Sequence, residues 1–112
     1  VDTDKSPYNP VQEAVSLLKT MRGYIRDDVE LTWTSYRSAE EARQDIDTCI
    51  AGIQRLDKAA IALAVSFFIP AGDFQNMALN NGWSDMFLIF AERYDKLYIE
   101  LKEFSPKNLK SG

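Results

Sequence analysis

Residues 38–67 read SAEEARQDIDTCIAGIQRLDKAAIALAVSF, and they decide the fold. Within them Ala42, Ile46, Cys49, Ile53, Leu56, Ala60, Leu63 and Phe67 follow one another at alternating steps of four and three. A mean step of about 3.5 residues is the apolar seam of helices packed side by side, whereas a strand would alternate. Ser38 followed by Glu41 is the Ser-x-x-Glu box that starts a helix. No Gly or Pro lies between Gly52 and Pro70, so one helix is expected over about 39–69. Such a helix would be about 46 Å long, so a kink near Asp57 is the alternative. The face pattern changes there. Arg43, Gln44, Asp47, Gln54 and Arg55 make one face polar before Asp57, and every face is apolar after Lys58. The second half is therefore expected at the centre of the fold.

Downstream, Pro70-Ala71-Gly72 stops the helix. Asp73 is expected to cap a short helix from Phe74 to about Asn80, with Asn81-Gly82 as a left-handed exit. Ser84 is expected to cap a last helix from Asp85 to about Phe104, with Trp83 and Leu88 as a hydrophobic staple. Its apolar face is Phe87, Phe90, Ala91, Tyr94, Leu97, Tyr98 and Leu101. Glu92 and Lys96 are spaced as an i,i+4 ion pair.

Upstream, Asn9 and Pro10 open a first helix, with Val11, Ala14, Val15, Leu18, Met21, Ile25 and Val29 on one stripe. Its end is expected between Asp27 and Leu31. Leu31–Arg37 contains strand formers in near alternation, but no second strand is visible to pair with them. It reads as an irregular connection with Trp33 and Tyr36 folded onto the bundle. The expected fold is all-α: a compact helical bundle of three long helices plus one short helix. It forms a single domain over 1–112, with 1–9 and 105–112 as loose ends.

The composition removes whole classes of chemistry. The 112 residues include no His and a single Cys, Cys49. Histidine-based relays, di-iron Glu-x-x-His bundles and nearly all zinc sites need side chains this chain lacks. The five glycines are scattered, so no phosphate-binding glycine loop exists. Glu41 with Asp45, and Glu92 with Asp95, share helix faces, but solvated acidic faces account for them without Mg²⁺. Cys49 sits on the apolar seam, where a thiol is a core residue rather than a nucleophile. The reading is therefore non-catalytic, with no cofactor and no metal.

A formal net charge of −4 and unclustered basic residues argue against nucleic acid as a partner. The apolar run 59–69 is too short for a membrane span. A soluble, cytoplasmic protein is favoured, and the start at Val1 is also compatible with a removed secretory signal.

What remains is interaction. Trp33, Tyr36, Phe74 and Trp83 lie in or beside connections, where aromatic residues anchor interfaces or lid the ends of a bundle. Asp73, Gln75, Asn76, Asn80 and Asn81 surround two of them, and amides beside aromatics suit peptide recognition. The leading expectation is an acidic helical module of the immunity, chaperone or adaptor type. It would bind another, basic protein through these four aromatics. One alternative is a small-molecule pocket between Ile61–Ile69 and the last helix, with Tyr94 and Tyr98 supplying hydroxyls. The other is a homodimer formed through the 42–67 seam.

Overall fold

Five helices make up residues 8–104, the part of the chain that the computed structural model describes. They are α1 (Pro10–Arg22), α2 (Ala39–Gln54), α3 (Lys58–Ser66), α4 (Asp73–Asn81) and α5 (Ser84–Glu103). No strand occurs among the described residues, so the all-α class holds, while the count of three long helices and a short one does not. The expected loose ends at 1–7 and 105–112 lie outside the described residues. Tyr8 and Asn9, by contrast, are engaged. Tyr8 donates to Glu100 Oε1 at 2.5 Å, and Asn9 Oδ1 accepts from the amide of Val11 at 2.9 Å.

The first helix ends five residues or more before the expected point. Gly23 follows Arg22, and its amide donates back to the Lys19 and Thr20 carbonyls. The Arg43 guanidinium then takes the Ile25 carbonyl at 2.7 Å and Asp27 Oδ1 at 2.8 Å. A continuing helix would have used that carbonyl itself. Ile25 is still buried, carried into the core by successive turns rather than by a helix.

The long 39–69 helix is broken where the kink was the alternative. Leu56 has φ +57°, in the left-handed region. The Asp57 amide donates to the Gly52 carbonyl and the Leu56 amide to the Ile53 carbonyl, both at 2.9 Å. This is the Schellman exit, with leucine in the place glycine usually takes. Asp57 Oδ1 then caps α3 by accepting from the Ala59 amide at 2.9 Å.

Two expected caps are also corrected. Gly72 precedes α4 and Asp73 is its first residue. Trp83 precedes α5 and Ser84 is its first residue, and neither Gly72 nor Trp83 makes a side-chain cap. Leu88 is exposed, so the Trp83–Leu88 staple does not form. Nor do Glu92 and Lys96 pair among the described residues.

The helices close a ring. α1 packs on α2 and α5, α3 packs on α2 and α5, and α4 packs on α5. So α3 is one wall, not the centre: Ala59, Ala62, Leu63 and Ser66 face out. Leu18, Met21, Ile46, Cys49, Ile53, Tyr94 and Leu97 are all fully or almost fully buried inside the ring. Of the eight seam residues, Leu63 is exposed, Leu56 is half-buried and the rest are buried within the chain. That seam is spent on the chain's own core and presents no continuous face to a second copy.

Candidate functional site

Leu31–Arg37, expected as an irregular connection, is one: it turns at Leu31–Thr34, and side chains of α4 hold residues 30–35 in place. Residues 73, 76 and 80 share one face of α4 by helical spacing, and Asn81 reaches the segment from the helix's last position. Asn81 Oδ1 accepts from the Glu30 amide and Asn81 Nδ2 donates to the Glu30 carbonyl, both at 2.9 Å. Asn80 Nδ2 donates to the Thr32 carbonyl at 2.5 Å and Asn76 Nδ2 to the Trp33 carbonyl at 3.0 Å. Asp73 Oδ1 accepts from the Ser35 amide at 3.0 Å, and its Oδ2 accepts from the Ser35 hydroxyl. The segment thus runs antiparallel to α4. Side-chain amides and a carboxylate supply what a neighbouring strand would give its backbone. Amides placed for peptide recognition do hold a peptide segment, and it is the chain's own, turned at Leu31–Thr34, where the Thr34 amide donates to the Leu31 carbonyl.

This clamp sets Trp33. Its carbonyl is fixed by Asn76, its φ is +67°, and its side chain is 82% exposed. A bulky residue in the left-handed region costs about 1–2 kcal/mol. Three residues on, Tyr36 is half-buried. Its hydroxyl donates to Asp45 Oδ2 at 2.8 Å, and its ring lies 5.5 Å from that of Phe74. Burial, and after it the Asp45 carboxylate, hold the Tyr36 hydroxyl far above its usual pKa. Beside it a cleft of about 310 Å³ is lined by Tyr36, Leu63, Ile69 and Phe74, with Asp45 and Asp73 as its charged groups. Leu63 and Ile69 are 49% and 47% exposed.

The four expected anchors therefore stand in different places. Trp33 is on the surface, and Tyr36 lines the cleft. Phe74 is 1% exposed and packs edge-on against Phe67 at 4.9 Å, so it is the cleft's floor. Trp83 is 5% exposed and stacks on Tyr24 at 5.2 Å. It belongs to the core, and its Nε1 has no acceptor among the described residues. Leu63 and Ile69 were expected in a buried helix, or in the 61–69 wall of an inter-helix pocket, rather than beside Tyr36 and Phe74.

The remaining chemistry-bearing groups are structural. Cys49 is buried, donates to the Ala60 carbonyl at 3.1 Å, and has its pKa pushed up to about 11, mainly by burial. Tyr94 is buried and donates to the Ile61 carbonyl at 2.9 Å, so its hydroxyl is taken by α3 rather than offered to a ligand. Among the described residues, no three Asp, Glu, Cys or His side chains converge as a metal site. No described helix is long and apolar enough to cross a membrane. Comparison with protein-family models, curated proteins and solved structures finds no match to this chain.

Proposed function

We propose that this protein is a non-catalytic interaction module, of the immunity, chaperone or adaptor type, that docks a protein partner on the surface made by residues 30–36 and the start of α4. Trp33 is the anchor, the Tyr36–Phe74 cleft is the second contact, and Asp45 and Asp73 favour a partner with basic groups there. The observation that carries this reading is Trp33 itself. A free tryptophan exposes large apolar area to water, and here it is also held in strained backbone by four α4 side chains. Strain and exposure in one well-braced residue suit a preorganised contact, because little conformational freedom is lost on binding. Tryptophan is also among the residues that most often dominate binding energy.

The test compares baits. Wild type, Trp33→Ala and Leu79→Ala are used to capture proteins from the source cells, with circular dichroism confirming that all three are folded. Leu79 is an exposed apolar control on α4. A protein retained by wild type and by Leu79→Ala, and lost with Trp33→Ala, is the expected outcome. Equal retention by all three overturns the reading.

A further inference from the structure

The outer face of the α3–α5 pair carries its own charge layout, separate from the Trp33 surface. Along α5, Leu88, Glu92, Asp95, Ile99 and Lys102 recur at steps of four and three, and all five are exposed. Leu88 and Ile99 are 58% and 57% exposed. A groove of about 580 Å³ runs between α3 and α5 over Phe68 and Ala91, and among the described residues its charged lining is Glu92 and Asp95. Toward the other end of the same helix pair lies a hollow of about 400 Å³ over Ile61 and Tyr98, and among the described residues its charged lining is Lys58 and Lys102. One end is acidic, the other basic, and the floor between them is apolar.

We propose that this face pairs with a second copy of the chain about a two-fold axis near Leu97–Tyr98. An isologous contact requires a patch that complements its own half-turn. An apolar strip with opposite charges at its two ends meets that requirement. Glu92 and Lys102 are ten residues apart, about 15 Å along the helix, and residue 97 lies midway between them. Laying a second α5 antiparallel across that midpoint brings each acidic end over the other copy's Lys58 and Lys102. Ile99 is covered at the same time, and the two Tyr98 rings flank the axis. The strip from Leu88 to Lys102 is about 21 Å long and two helices wide, so the pair buries roughly 800 Å² in total, below the size of stable interfaces and in the range of weak, transient contacts. The dimer is therefore weak, with a Kd on the order of 100 µM.

The experiment is sedimentation velocity on the full chain from about 10 µM to about 1 mM, at low and at high salt. Wild type is expected to shift from monomer to dimer over this range, with the shift weakened by salt. Glu92→Lys with Asp95→Lys should weaken dimerisation at least tenfold, and Lys58→Glu with Lys102→Glu should do the same. An equimolar mixture of the two double variants should associate again as a heterodimer. Ile99→Ser, which alters no charge, should weaken self-association several-fold and serves if a charge reversal perturbs folding. A wild type that stays monomeric at about 1 mM overturns the proposal. So does a dimer indifferent to both charge reversals and to Ile99→Ser.

Discussion

Gly52 on α2 and Ala60 on α3 are pressed together so closely that a Cβ built on Gly52 would lie 2.3 Å from the Ala60 Cβ. The two helices meet there because the Leu56 turn folds α3 straight back onto α2. In an unconstrained helix, Gly→Ala would stabilise by about 1 kcal/mol. Here the added methyl has nowhere to go. Gly52→Ala is expected to destabilise by about 1–3 kcal/mol, the usual range for overpacking. Urea denaturation of the variant reads the sign directly, and a stabilised Gly52→Ala would mean that the α2–α3 contact is looser than described.

The clamp on segment 30–35 should be separable into its two ends. Asn81 serves the Glu30 amide and carbonyl, while Asp73 serves the Ser35 amide. Asn81→Ala is expected to cost about 1–2 kcal/mol and to speed amide exchange at Glu30 more than at Ser35. Asp73→Ala should reverse that order. Exchange rates measured by NMR would show it. Equal acceleration at both amides in both variants would mean that the segment opens as one unit.

These two features also show where sequence pattern reached and where it failed. The seam at 42–67 and the α5 face from Phe87 to Leu101 were legible because apolar spacing reports burial directly. The break at Leu56 was not. Leucine is a poor residue for left-handed backbone, so no local signal marked it, and only the change of face at Asp57 hinted at a turn. Asp73 and Ser84 looked like caps by type, yet cap geometry depends on where the side chain turns. Asp73 turns to Ser35, a residue 38 positions away. The early end of α1 depends on Arg43 reaching the Ile25 carbonyl, another contact that spacing cannot encode. Trp33 is exposed, but Phe74 and Trp83, which shared its sequence context, went inside.

Alkaline pH should weaken the fold. Burial raises the pKa of Cys49 to about 11 from an ordinary value of 9.0, and those of the Tyr36 and Tyr94 hydroxyls rise from 10.0. In each case the unfolded chain releases its proton before the folded one does. Stability is thus fully present below about pH 9, and it falls as pH rises through the unfolded values toward the folded ones. Thermal melts are expected to be insensitive to these groups at neutral pH and to decline steadily above about pH 9. Cys49 should also resist thiol reagents at pH 8 in the native state and react promptly in urea. Rapid native labelling would place the thiol at the surface.

The two tryptophans should respond in opposite ways to removal. Trp83 is buried against Tyr24, so Trp83→Ala is expected to cost about 3–5 kcal/mol. Its Nε1 has no acceptor among the described residues, so Trp83→Phe, which removes that donor along with some packing, should cost far less. Trp33 is exposed and has φ +67°, a conformation that glycine adopts without penalty. Trp33→Gly is therefore expected to be neutral or to stabilise by up to about 1 kcal/mol, while abolishing partner capture. Fluorescence gives an independent check. Wild-type emission should be partly quenched by acrylamide through Trp33, and Trp33→Gly should leave only the shielded, blue-shifted Trp83. A marked loss of stability in Trp33→Gly would make Trp33 a structural lid rather than an anchor. In that case the clamp formed by α4 would serve folding alone.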